Sequence, residues 1–211
     1  MPDSIVFFHN PQSRARIVHW MLEEVGVPYK TELLRFDRGE HKSKQYLALN
    51  PMGKVPAIKH GDTVVTEAAA ICAYLADAFP AANLAPAVNS PERGTYYRWM
   101  FFGAGCVEPA IVDRLFNRPQ VDRPGALGYG SYEDTLHALE QAVSRGPFIL
   151  GERFSAADVY IGSQIVWGTL VKALEPRKAF QDYVARCSER PAFKRAAAQD
   201  EKYIKELQQQ A

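Results

Sequence analysis

Apolar positions switch between two spacings through roughly the first eighty residues and then keep to one. Ile5-Val6-Phe7-Phe8 is a short apolar run that predicts a strand. From Arg14 to Val25 the residues Ile17, Val18, Met21, Leu22 and Val25 recur at helical spacing, with Arg16, His19, Glu23 and Glu24 on other faces. Gly26 and then Pro28 stand in the order expected of a helix stop. YKTELL reads as a second strand, SKQYLAL as a short helix, VPAIK as a third strand, HGD as a turn and TVVT as a fourth strand. EAAAICAYLADAF follows as a helix with Ile71, Tyr74, Leu75 and Ala78 on one side. The order β-α-β-α-β-β-α implies a parallel crossover followed by an antiparallel hairpin, hence a mixed four-stranded sheet. That is the thioredoxin-like α/β arrangement.

PAANLAPAVNSPERG, with its prolines and weak periodicity, interrupts this pattern. The boundaries expected are a first domain over 1–80, a linker over 81–90 and an all-α domain over 91–211. In that second part Arg93 to Phe116 reads as one long helix, bent near Gly103, Gly105 and Pro109, and Ser131 to Ser144 as another. SAADVYIGSQIVWGTLVKAL is a third, and short helices follow near 176–187 and 191–208. Ser155 caps the third of these, Asp158 answers at the third helical position, and Phe154 packs on Val159, a capping box with its hydrophobic staple. The simplest reading of this group is folding, not chemistry.

Composition narrows the function. The chain has 211 residues, 47% hydrophobic and 23% charged, enough to bury a core. Lys and Arg number 25 against 24 Asp and Glu, a net charge of +1, so no whole-protein field draws in nucleic acid or a membrane surface. No stretch approaches the roughly 18 apolar residues of a bilayer span, and the N-terminus lacks the pattern of a signal peptide. The expected address is the cytoplasm. Cys72, Cys106 and Cys187 show no metal-binding spacing and read as reduced thiols. Neither a metal nor a resident cofactor is expected.

One residue sits badly in this pattern. Pro56 opens the third strand, where a missing N–H breaks a sheet ladder. A cis Val55-Pro56 bond, a form essentially limited to X-Pro, is one reading of it. The plain alternative is a trans proline on an edge strand.

Four segments, PQSRARIVHWMLEEVGVPY, GEHKSKQYLALNPMGKVPAI, VVTEAAAICAYLAD and GERFSAADVYIG, occur in the order found in the cytosolic glutathione transferases, and the chain resembles that family over essentially its whole length. The second segment is similar to theta-class sequences, and PQSRA with WMLEEVGVPY is similar to the bacterial chi class. The resemblance implies an enzyme that conjugates the thiolate of glutathione to small hydrophobic electrophiles in detoxification. It also implies a homodimer and glutathione as co-substrate. A noncatalytic interaction protein, or an isomerase or dehalogenase on the same fold, is the alternative.

On this resemblance, glutathione lies along Val55 and Pro56, with its γ-glutamyl end at Glu67 and Ala68 and its glycyl carboxylate near His41, Lys42 and Lys54. The unpaired N–H groups at a helix start suit a carboxylate. Relatives keep a Ser after the Glu, and here Ala68 removes that hydroxyl. A free thiol with a pKa of about 8.5 is only about 3% ionised at pH 7, so a donor must favour the thiolate. The turn FFHNPQSRAR holds neither Tyr nor Cys. Ser13 is its only hydroxyl and the first candidate, with Asn10, Gln12 and Arg14 as alternatives. Phe8, Trp99, Phe102, Cys106 and Phe116 are candidates for the electrophile wall.

Overall fold

The computed structural model describes residues 4–119 and 121–209. Its first elements are β1 (Ile5–His9), α1 (Ala15–Val25), β2 (Tyr29–Leu33), α2 (Lys44–Leu49), β3 (Ala57–His60), β4 (Thr63–Thr66) and α3 (Ala68–Ala78). The strand order is β2-β1-β3-β4, with β1 parallel to β2 and antiparallel to β3, and β4 antiparallel to β3. This is the mixed thioredoxin-like sheet that the apolar pattern predicts. Phe7, Ile17, Met21, Leu22, Ile58, Ile71 and Leu75 form its core.

The helices that follow are α4 (Glu92–Phe102), α5 (Glu108–Leu115), α6 (Tyr132–Ser144), α7 (Ala156–Leu170), α8 (Lys178–Ser188) and α9 (Pro191–Gln209). The chain divides into two compact units, Met1–Ala82 with Arg190–Ala211, and Asn83–Glu189.

Several expectations change. The last helix groups with the sheet, not with the helical domain drawn over 91–211, because α9 packs along α1. His19, expected on an outer face of α1, is fully buried for the same reason. The third strand starts at Ala57, two residues later than VPAIK suggested, since Pro56 has no N–H to enter the ladder. The long helix runs on without a break and is irregular where the bend is expected. Gly103–Val107 is one π-helical turn between α4 and α5, and a side chain at Gly103 would meet the Tyr160 ring at 2.8 Å. The helix from Ser155 ends at Leu170, and Lys172 takes the left-handed conformation (φ 57°).

In the second unit Asp158 is completely buried and collects hydrogen bonds from the Ser155 N–H (2.8 Å), the Ser155 hydroxyl (2.9 Å), the Ile149 N–H (2.7 Å) and the Tyr183 hydroxyl (2.8 Å). Burial nonetheless pushes its carboxyl above the usual carboxylate range. Cys72 and Cys187 are buried, and Cys106 is half-buried.

Candidate functional site

Sheet register gathers the candidate residues of the first unit at one end. Ala57 pairs with Phe8 on one side and Thr66 on the other, so the turn after β1, the Val55-Pro56 bond and Glu67 all lie at the same end of the strands.

The Val55-Pro56 peptide is cis. Just before it the Lys54 carbonyl accepts two hydrogen bonds, from the Tyr46 hydroxyl at 2.6 Å and from the Asn50 amide at 2.8 Å. The Asn50 side-chain oxygen also takes the Met52 N–H at 3.1 Å. Gly53 closes the turn at φ 58°, and any side chain there would lie 2.7 Å from the Lys42 Nζ and 2.8 Å from the His41 carbonyl. The Lys42 ammonium in turn donates to the Met52 carbonyl at 2.8 Å. This ring of contacts holds the chain entering Val55, whose own N–H and C=O have no partner among the described residues. Tyr46 and Asn50 were not singled out from the sequence. The spacing of a buried Tyr and Asn before a Gly was the available signal.

His41 lies half-buried against the Phe36 ring, centroids 4.8 Å apart, and its Nδ1 has no hydrogen-bond partner. Lys54 is exposed and unpaired among the described residues.

Glu67, the residue before α3, has φ 67° and ψ 118°, left of the range that a side chain normally tolerates. Its side chain is exposed, makes no cap, and has no partner among the described residues. Strain of this sort persists only where neighbours enforce it, and it concentrates at ligand sites. The helix that begins at Ala68 presents its first N–H groups without a side-chain cap or a first-turn acid.

The turn between β1 and α1 is tightly knit. The Asn10 amide donates to the Leu34 carbonyl at 2.8 Å, and its oxygen accepts the Gln12 N–H at 2.9 Å. The Ser13 hydroxyl donates its proton to the Asn10 carbonyl at 2.7 Å and accepts the Ala15 N–H at 3.1 Å. Gln12 is exposed, and no partner of its side chain is found among the described residues. Arg14 is half-buried at the head of α1.

Of the electrophile candidates, Phe8 is half-buried and packs on Tyr46 at 5.5 Å in the first unit. In the second unit Trp99 is a core residue, 5% exposed, with Phe102 edge-on at 5.4 Å. Cys106 lies on the π-helical turn with its Sγ 3.5 Å from the Gly128 carbonyl, and Phe116 is 68% exposed at the end of α5.

A cluster that the sequence did not disclose lies behind the β1–α1 turn. Asp200 of α9 accepts hydrogen bonds from His9 Nε2 at 2.8 Å, His19 Nδ1 at 2.6 Å and Arg16 Nε at 3.1 Å. Burial alone would raise the Asp200 carboxyl, but the hydrogen bonds from His19 and His9 outweigh it and bring the pKa down to about 2. Burial pushes the His9 imidazole below its usual value, against the pull of Asp200. Two imidazoles and a carboxylate, with donor atoms within 4.8 Å of one another, are metal-capable in kind. Here the carboxylate is shared at hydrogen-bond length and faces a guanidinium, which is the arrangement of a polar network. The sequence signal was a charged residue in the stripe Ala192, Ala196, Asp200 that α9 buries.

Comparison with known proteins matches residues 3–77 to the N-terminal domain of glutathione S-transferases. A glutathione S-transferase from Escherichia coli O157:H7 is 29% identical over 191 residues, 87% of this chain and 92% of the relative. A sphingomonad glutathione S-transferase, solved with glutathione, is 28% identical and covers 92% of this chain with 98% of its own, at a TM-score of 0.76. A glutathione transferase from Methylococcus capsulatus is 25% identical over 93% of this chain and 98% of its own, at a TM-score of 0.77. Among the described residues no helix is long and apolar enough to cross a membrane. The cis proline, the strained uncapped start of α3 and these relatives agree on one conclusion: residues 3–77 are a glutathione S-transferase N-terminal domain, in a chain similar to glutathione S-transferases over most of its length.

Proposed function

We propose that the protein is a cytoplasmic, homodimeric glutathione transferase that joins the glutathione thiolate to small hydrophobic electrophiles. The observation that carries this reading is the shared end of the sheet, where the Val55 backbone, unpartnered among the described residues, and the strained Glu67 with its unpartnered side chain lie beside the β1–α1 turn. The sphingomonad relative's glutathione complex supports the choice of ligand.

In this reading the cysteinyl backbone pairs with Val55 beside Pro56, as an added strand. The γ-glutamyl carboxylate takes the free N–H groups at Ala68 and its ammonium takes Glu67. His41 and Lys54 hold the glycyl carboxylate, with Lys42 contributing a donor that its turn contact leaves over. Without a hydroxyl at Ala68 one hydrogen bond is lost, about 0.5–1.5 kcal/mol.

The sulfur meets the β1–α1 turn. Both ends of the Asn10 amide are occupied, which leaves Ser13, Gln12 and Arg14. Ser13 must release the Asn10 carbonyl to donate to sulfur, whereas Gln12 is exposed at once. Ser13 remains the first candidate. The thiol proton leaves to solvent, the thiolate attacks an electrophilic carbon, a C–S bond forms, and the leaving group departs with its electron pair. Of the wall candidates, Phe8 belongs to the unit that carries this turn, and Trp99, Phe102, Cys106 and Phe116 to the other.

The test is retention on immobilised glutathione followed by glutathione consumption with chlorodinitrobenzene. The expected result is retention, turnover, and a KM for glutathione raised several-fold by Glu67→Ala. Retention without turnover would make the protein a noncatalytic relative, and no retention would overturn the glutathione site. Ser13→Ala is expected to raise the bound thiol pKa, read by thiolate absorbance; an unchanged value transfers the role to Gln12 or Arg14.

A further inference from the structure

The turn Asn10–Arg14 links β1 to α1, and both of its ends are tied to one residue of the C-terminal helix. His9 is the last residue of β1, and Arg16 and His19 lie in the first turns of α1. All three donate to Asp200, which is 1% exposed. One carboxylate oxygen takes both imidazoles and the other takes the guanidinium. Tyr203, three residues on, covers the pair with its ring 5.9 Å from His9 and 6.1 Å from His19. Phe7 stacks on His9 at 4.7 Å and Tyr29 meets His19 edge-on at 6.1 Å.

Anchoring α9 does not require this carboxylate. Arg190 grips Glu24 at 2.6 and 2.7 Å, Arg195 grips Glu23 at 2.6 Å, and Phe193 packs edge-on against Trp20 at 5.0 Å. Those contacts hold α9 to the later half of α1 and do not bracket the turn. A buried anion is costly to desolvate and is weak as a source of net stability, so its retention points to geometry. Asp200 joins His9, before Asn10–Arg14, to Arg16 and His19, after it.

We propose that Asp200 is a positioning residue for the sulfur-facing turn: by drawing His9 and the Arg16–His19 pair to one carboxylate, it sets the spacing between the end of β1 and the first turn of α1. The proposal rests on the glutathione reading above. His9 and His19 are fully buried, and their effect passes through the backbone they hold. A displacement of about 1 Å at a reacting centre changes rates by up to about a hundredfold, so a remote tie of this kind has leverage.

The test uses the full chain with glutathione and no electrophile. Wild type, Asp200→Asn and Asp200→Glu are compared by calorimetric Kd for glutathione and by the pH dependence of thiolate absorbance, with circular dichroism to establish folding. Removing the Asp200 charge would by itself lower the bound thiol pKa, because a nearby anion disfavours a thiolate. Displacing the turn raises it. The expected result is a rise of about one unit in both variants, with Kd changed by no more than about twofold, because Val55 and Glu67 are left in place. Asp200→Glu keeps the charge and lengthens the tie, so it carries the test alone if Asp200→Asn does not fold. An unchanged or lowered thiol pKa in a folded variant overturns the positioning role. A wild type without bound glutathione or a thiolate band overturns the glutathione reading, and the positioning role with it.

Discussion

Helices α3 and α7 begin in opposite ways. Before α7, Ser155 is in relaxed extended backbone (φ −147°, ψ 174°), and Asp158 gathers the local donors into a closed, fully buried box. Before α3, Glu67 sits at φ 67° with its side chain exposed and no cap made. The first arrangement satisfies its own backbone and leaves nothing for a ligand. The second carries strain and exposes N–H groups and a carboxylate together. The contrast separates a helix start selected for folding from one left open for binding, although both lie in sequence behind an acidic or hydroxyl residue that reads as a cap.

The largest effect should come from the closed end. Asp158→Ala strands the Tyr183 hydroxyl and the Ile149 and Ser155 N–H groups in the interior, at about 1–3 kcal/mol each. A loss of about 3 kcal/mol or more lowers Tm by roughly 6–12 °C, measured by calorimetry; a fall under 2 °C, about a third of that minimum, would mean the box is not a stability element.

Acid separates the two units next. The folded Asp200 has its pKa lowered to about 2 from 3.8, so its contribution of about 2 kcal/mol is present above 3.8 and fades as pH falls toward 2. His9, lowered from 6.5, acts in the same direction, its stabilisation being complete above 6.5 and weakening as pH drops below it. Asp158 is raised, so the folded state holds its proton better than the unfolded state, and acid relieves that site. Hydrogen exchange corrected for intrinsic rates should therefore show α9 opening before α7 as pH falls. The reverse order would break the comparison.

Smaller effects belong to the open end. Glu67→Gly removes backbone strain of about 1 kcal/mol and should raise Tm by a few degrees while weakening glutathione binding. A variant that loses both stability and affinity would identify Glu67 as a packing residue. Ala68→Ser restores a hydroxyl at the start of α3 and should lower the KM for glutathione by about two- to tenfold.

Much of this was legible along the chain. Period-two and period-3.6 runs marked the sheet, its parallel crossover and most helices, because those signals are local. The capping box was readable for the same reason: Ser155 and Asp158 are three residues apart. Pro56 stood out as a misfit opening a strand, whereas Glu67 came only from the family resemblance and its strain only from the structure. Other features depended on distant partners. The close approach of the Tyr160 ring to Gly103 links positions more than fifty residues apart, and Asp200 meets His9 across 191 positions. No spacing rule reaches that far. What the sequence did show was an acid in the buried stripe of α9, an anomaly without an address. The Ser13 proton illustrates a finer limit, since residue type named the donor but only geometry revealed that Asn10 already receives it.

The Asp200 tie also bears on how the chain is made. His9 and His19 are made 191 and 181 residues before the carboxylate to which they donate. At 5–20 residues per second, the 118 residues from Ala82 to Asp200 (200 − 82) keep the finished sheet waiting on the order of ten seconds on the ribosome with its polar interior incomplete. The sheet is thus sealed late: the whole helical unit has to be translated before the thioredoxin-like unit can reach its native interior.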